Sequence, residues 1–271
     1  MYDVQERLQR VLVDIHAALA GVDGYLSAKE IRGLATLAAV PTTAGEVLEI
    51  GTFKGKSSIV LVKAAAIANP SGIVAVDPLP VPTAEMDRQH YGAKSAFDEC
   101  MANLERAGVR DRVEFHRRYS GDLAKDWPSE RRLRLLWIDG DHSYPGAKGD
   151  FDLFMPFVAA GGIVAMHDVL HEHGGPTRVF AEDILLSPRF GAFGFFGSVG
   201  WAQLAESADA VRPLWPAKLK AYQKLSRLVR HTAFGEQPAG LAKLQFKLAR
   251  GLIPHGDLAA RTILAAAELA A

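Results

Sequence analysis

Acidic and histidine side chains gather at two places in this 271-residue chain, Asp139-Gly140-Asp141-His142 and His167-Asp168. Groups of these types, brought together, can hold a divalent cation, move a proton, or simply hydrogen-bond one another. Each cluster follows a short apolar run, Leu135-Leu136-Trp137-Ile138 and Ile163-Val164-Ala165-Met166. Such runs read as strands covered on both faces. Ligands of open parallel sheets bind beyond the carboxyl ends of the strands, so both clusters fall where a site should be.

A second stretch suited to chemistry begins with the apolar strand Glu46 to Ile50. It is followed by Gly51-Thr52-Phe53-Lys54-Gly55-Lys56-Ser57-Ser58 and a helix through Ala68. Glycines let the backbone approach a ligand closely, and the helix start offers free N–H groups and a partial positive charge. A phosphate loop needs one more residue between its glycines. A dinucleotide fingerprint needs glycine where Phe53 stands. An E-x-G-x-x-x-G loop remains, in which Glu49 can hold an ammonium group and the glycines leave room for an amino-acid moiety. An ordinary strand-to-helix turn also fits. Ile73 to Val76 then forms a strand ending in Asp77, an acid placed to accept both hydroxyls of a ribose. Val113 to His116 forms another, leading to Tyr119 and Ser120, which can pack on and hydrogen-bond an adenine; a plain loop fits their composition equally well.

The elements that must position these residues follow from periodicity. Residues 4–20 and Ser27 to Ala39 form amphipathic helices, the second opening with the capping pattern Ser27-x-x-Glu30. They serve as edge cover or as a lid. Pro78, Pro80 and Pro82 mark a loop, and residues 83–106 return to helix, ended by Gly108. Arg131, Arg132 and Arg134 read as a solvated turn, because no aromatics interleave with them. Phe151, Phe154, Phe157 and Val158 predict a helix over Asp150 to Val158 that Gly161-Gly162 closes. His171 to Pro176 form a polar loop, Thr177 to Leu186 a helix, and Phe190 to Phe196 with Ser198 to Leu204 an antiparallel hairpin finishing the sheet. In the C-terminal helices, Leu219, Tyr222, Leu225 and Leu228 make one stripe, opposed by Lys218, Lys220, Lys224, Arg227 and Arg230, a face that reads as solvated or as docking a partner or an anionic membrane surface.

Bulk composition bounds the reading. With 49% hydrophobic residues the chain can bury a full core. Its 31 basic and 31 acidic residues balance, so nothing global points to nucleic acid. The last 66 residues, 206–271, are nevertheless basic, with ten Lys or Arg against five Asp or Glu. A single cysteine, Cys100, excludes an internal disulfide and fits a reducing compartment. The charged N-terminus lacks a secretory pattern and no apolar run is long enough to span a membrane, so a cytoplasmic location is expected.

Taken together, VLEIGTFKGKSS, VAVDP, RYSGDL and LLWIDGDHSYPGAKGDFDLFMPFVAAGGIVAMHD resemble the class I S-adenosylmethionine-dependent methyltransferases. The resemblance is greatest to small-molecule O-methyltransferases with a WIDGDHSY motif, relatives of the catechol and caffeoyl-coenzyme A enzymes. It implies a Rossmann-like, doubly wound α/β fold: a mostly parallel seven-stranded sheet with an antiparallel last hairpin. Residues 44–205 would form the cofactor-binding domain, with helical extensions at 1–43 and 206–271. By the same resemblance Glu49, Gly51, Gly55 and Ser57 would bind the methionine part of S-adenosylmethionine, with Asp139 nearby. Asp77 would take the ribose, and Tyr119 and Ser120 the adenine. Asp139, His167 and Asp168 occupy the positions that hold a divalent metal in metal-dependent relatives. His167 replaces a carboxylate there, which shifts preference from magnesium toward manganese, iron or zinc. His142 stands where the catechol-type relatives carry a catalytic lysine. It fits a general base, and equally an orienting residue or a ligand of the same metal.

The implied activity is methyl transfer to a sugar or phenolic hydroxyl of a small molecule, in a homo-oligomer joined through the terminal helices. The alternatives are a metal-independent O- or N-methyltransferase and a binding protein that keeps the fold without turnover.

Overall fold

A computed structural model describes residues 2–79, 95–232 and 238–270. The helices are α1 (Tyr2–Ala18), α2 (Ala28–Ala39), α3 (Lys56–Ala65), α4 (Ala96–Arg106), α5 (Ser120–Lys125) and α6 (Tyr144–Phe154). After these come α7 (Gly174–Val179, continued as a π turn through Leu185), α8 (Ala208–Val211), α9 (Trp215–Thr232), α10 (Gly240–Gly251) and α11 (Ala260–Ala270). The strands are β1 (Glu46–Ile50), β2 (Ile73–Val76), β3 (Val113–His116), β4 (Leu133–Ile138), β5 (Val158–Met166), β6 (Phe190–Phe196) and β7 (Val199–Leu204).

They form one seven-stranded sheet in the order β3-β2-β1-β4-β5-β7-β6. The pairs among β1 to β5 are parallel, while β7 runs antiparallel to both β5 and β6. The chain moves outward from β1 to β3, then returns to lay β4 on the other side of β1. This is the Rossmann-like, doubly wound arrangement, and its switch point lies between β1 and β4. Ile50 is level with Val76 and with Ile138, and Ile138 with Met166. Four strands therefore end together, and the next residues, Gly51, Asp77, Asp139 and His167, stand in one row.

Strand alternation sends side chains to two apolar layers. Val47, Leu135, Trp137, Ile163 and Ala165 pack with α1, α2 and α3, while Leu48, Ile50, Leu136, Ile138 and Val164 pack with α6, α9 and the π turn. Leu12 and Ile15 of α1 and Leu34 and Leu37 of α2 are buried in the first layer. Among the described residues, no helix is long and apolar enough to cross a membrane.

Several elements differ from the sequence reading. Strand β4 starts two residues early and takes in Arg134, which is buried and donates a hydrogen bond to the Ala38 carbonyl. Burial without a counter-charge lowers its pKa to about 10. Arg131 is no solvated turn residue either: it pairs with Glu46 and Glu114 and lies over the Trp127 ring. Helix α6 stops at Phe154, because Pro156 has no N–H to continue the ladder and Met155–Phe157 tightens into a 3-10 turn. Gly161 and Gly162 consequently sit inside β5 rather than closing a helix. Lys218, expected on the solvated face of α9, is fully buried and donates to the carbonyls of Ser187 and Phe190. The expected loop and helix over 80–94 lie outside the described residues.

Candidate active site

The cofactor-type cradle is built by β1 and the N-terminus of α3. Gly51 has φ +87°, and a Cβ there would lie 2.1 Å from the Asp139 carbonyl oxygen, so the two strand-end loops touch only because residue 51 has no side chain. Gly55, at φ +82°, occupies the cap position of α3 without a side-chain cap, leaving the first N–H groups of that helix uncapped from within the loop. Asp77 closes the cradle from below. One carboxylate oxygen accepts from Thr52 N (2.7 Å) and Phe53 N (3.0 Å), and the other from Leu79 N (2.9 Å). The acid expected to meet a ribose thus also shapes the glycine loop.

Glu49 points to the α3 side of the sheet and is fully buried. Ser58 Oγ donates to its Oε2 at 2.5 Å, while Oε1 has no hydrogen-bond partner among the described residues. Burial pushes its pKa up to about 8, against the opposing hydrogen bonds from Ser57 and Ser58. Ser57 reaches the cleft wall and Glu49 stands behind it. Ser120 opens helix α5 rather than sitting in a loop, and its Oγ donates to Asp150 Oδ1 at 2.5 Å. Burial raises the Asp150 carboxyl to about 6. Tyr119, the cap residue of α5, lies on the cleft wall with 66% of its surface exposed, a free aromatic face.

Across the switch point the two polar clusters converge. Asp139 and His167 each continue the ladder by one bond, Asp139 N donating to Ile50 O and His167 N to Ile138 O. Their side chains meet: His167 Nδ1 is 3.1 Å from Asp139 Oδ1 and 3.4 Å from Asp168 Oδ1. His142 Nε2 lies 3.5 Å from Asp139 Oδ1 and 3.3 Å from Asp168 Oδ2. Asp168 reaches inward from a left-handed backbone, φ +55°, a conformation that non-glycine residues adopt at a cost. Burial works against charge on His167, yet the carboxylates of Asp139, Glu30 and Asp168 outweigh it and raise its pKa well above the ordinary value. Burial likewise opposes the Asp139 carboxylate, but His167 and His142 hold its pKa below the usual range.

Sequence reading missed three members of this cluster. His173 stacks on His142 with ring centroids 4.7 Å apart, and its Nε2 is 3.9 Å from Asp168 Oδ2. Glu30, buried in α2, accepts from Ser198 N (2.7 Å), Ser198 Oγ (2.8 Å) and Ser27 N (2.7 Å). Its other face stands 3.9 Å from His167 Nε2, which has no hydrogen-bond partner among the described residues. Ser198, in the β6–β7 turn, links the two acids, since its Oγ is also 3.3 Å from Asp168 Oδ1. The capping box that marked Glu30 in the sequence is present, but it explains one of these contacts only.

Two groups of ligand atoms, those of Asp139, His142 and His167 and those of His142, Asp168 and His173, each lie within 4.8 Å of one another; both include His142, and neither is the Asp139, His167 and Asp168 set expected from the sequence. Mixed imidazole and carboxylate donors at this separation fit a divalent transition metal better than magnesium. The cradle and the polar cluster open into the same cleft, about 1680 Å³ in volume.

Residues 48–169 match the family model described as "Methyltransferase domain". Solved structures similar to the chain include an O-methyltransferase from Bacillus cereus in complex with SAH, at 21% identity and TM-score 0.50. The match covers 73% of this chain and 90% of that one. Another is the O-methyltransferase TomG from Streptomyces achromogenes, involved in tomaymycin synthesis and solved in complex with SAM (21% identity, TM-score 0.51, 72% and 89% covered). A methyltransferase from Geobacter sulfurreducens matches at 17% identity and TM-score 0.51, over 72% and 88% of the two chains. At these identities the likeness is one of fold. The topology, the cleft at the switch point and the family match agree: residues 48–169 are similar to a methyltransferase domain.

Proposed function

We propose that the protein moves a methyl group from S-adenosylmethionine to a hydroxyl of a small molecule, with a divalent cation at Asp139, His167 and Asp168. The observation that carries this reading is the meeting, in one cleft, of the Gly51–Gly55 cradle with Asp77 on one side and the acid–imidazole cluster on the other. In S-adenosylmethionine the methyl sits on a cationic sulfur, so the leaving group needs no protonation; a cation held by Asp139, His167 and Asp168 would lower the pKa of a hydroxyl beside it.

The chain's own residues supply the rest. The loop at Gly51 and the α3 N-terminus admit the methionine part, with Ser57 at the wall and Glu49 behind it. Asp77 faces the ribose, while Tyr119 and Ser120 border the adenine end. His142, on the cleft wall beside Asp139 and Asp168, takes the proton from the acceptor hydroxyl at Nε2. Holding acceptor and donor in line contributes by proximity rather than by further chemistry.

A metal-independent version is favoured by one observation: His167 Nδ1 lies 3.1 Å from Asp139 Oδ1 and 3.4 Å from Asp168 Oδ1, close enough to donate to a carboxylate there without an ion. Exhaustive dialysis against a chelator separates the two readings. The expected result is loss of methyl transfer, restored by manganese or another first-row divalent ion. Full activity after metal removal would sink the metal-assisted version, and absence of any calorimetric response to S-adenosylmethionine would sink the enzyme reading altogether.

A further inference from the structure

Helix α10 packs on α9 through one side. Phe246, and Ile253 just past its end, are buried with Leu225 and Leu228 of α9. The other side carries Leu241, Leu244, Leu248 and Leu252, which are 70%, 54%, 65% and 56% exposed. Steps of three, four and four residues set these leucines in a single row, with Phe246 on the opposite face. Single exposed leucines are ordinary on a protein surface; four in a row on one helix form a patch that marks an interaction site.

Charge identifies what the patch meets. Residues 212–252 hold nine Lys or Arg and one Asp or Glu. Lys243 and Lys247 border the leucine row and are exposed, as are Lys220, Arg227 and Arg230 on α9. Lys243 is partly engaged by Glu172. Two copies joined face to face through this row would set basic flank against basic flank, which opposes association. A surface bearing phosphate headgroups is the complement.

We infer that α10 docks this protein on an anionic lipid surface, leucines seated at the acyl boundary and basic flanks among the headgroups. The helix is 12 residues long, about 18 Å, and lies in the interface plane rather than crossing it. This inference is independent of the metal and of the acceptor: Arg250 of α10 lines the cleft, whereas the leucine row and Lys247 do not.

The test is co-sedimentation of the full chain with two sets of vesicles, phosphatidylcholine alone and equal parts phosphatidylcholine and phosphatidylglycerol. Binding to the mixed vesicles alone is expected, with release at high salt as screening shortens to about 3 Å near 1 M. The double variant Leu244→Glu/Leu248→Glu should bind at least about tenfold more weakly at an unchanged melting temperature, because both side chains are exposed. Lys247→Glu should weaken binding while leaving the apolar row intact. No binding to the mixed vesicles overturns the inference, and so does equal binding by the leucine variant. Equal binding to neutral vesicles overturns the charge argument. A dimer in sedimentation velocity that the same leucine substitutions dissociate assigns the row to a second copy instead.

Discussion

At the scale of single residues the cleft is a set of charges held against their own desolvation. If His142 is the base, as proposed, its replacement by Ala should lower single-turnover methyl transfer on the order of 10²–10⁴-fold. Calorimetric affinity for S-adenosylmethionine should be unchanged, because His142 stands with the acid–imidazole cluster and not with the Gly51 cradle; unchanged turnover would remove it as the base. Glu49 is the clearest pH-dependent group. With its pKa raised from 4.5 to about 8, the folded state keeps a proton that the unfolded chain releases. Stability contributed by the protonated form is therefore complete below about pH 4.5, falls as pH rises, and is lost by about pH 8. Relative to Glu49→Gln, the wild-type protein should lose stability across that window, by at most about 1.4 kcal/mol per pH unit, in urea unfolding. A constant difference between the two across the window would show that Glu49 is ionised in the fold.

At the scale of elements, the strand ends were legible from sequence and their partners were not. Apolar runs ending in Asp77, Asp139 and His167 announced both the strands and the side of the sheet that matters, since a strand covered on both faces leaves its polar residues to the ends. Arg134 inside β4 and the buried Lys218 were misread because each donates to a distant carbonyl that local pattern does not contain, and Gly161 and Gly162 inside β5 because α6 ends early at Pro156. Glu30 is the functional example. Its capping role is local, whereas its bonds to Ser198 cross 168 positions of sequence. Helix α2 thereby brings a carboxylate into the site from outside residues 48–169. Glu30→Ala should destabilise the fold by about 1–3 kcal/mol, since it orphans the Ser198 and Ser27 amides. Glu30→Gln keeps an acceptor for Ser198 but turns an NH2 toward the Ser27 amide and removes the charge facing His167, so activity should fall roughly 10–100-fold while the fold loses less stability than in Glu30→Ala. Equal activity of Glu30→Gln and wild type would confine Glu30 to the fold.

At the scale of the whole molecule, the sheet gathers the chemistry at one edge while charge is sorted along the chain. The first 205 residues carry an excess of acids and the last 66 an excess of bases. The topology was implied by the family resemblance, but the volume and lining of the cleft were not, because they depend on how α2, α7 and the β6–β7 turn come back over the strand ends. That return is also a tether. Glu30 fastens α2 to the β6–β7 turn through two hydrogen bonds from Ser198, and Leu34 and Leu37 of the same helix are in the core. An element so fixed cannot swing aside at each catalytic cycle. Its amides should exchange with deuterium only as fast as the entire protein unfolds, at the slow end of the molecule's exchange spectrum and with the same denaturant dependence as β1 and β4. Fast, denaturant-independent exchange at Leu34 and Ala35 would instead reveal α2 as a separately opening unit.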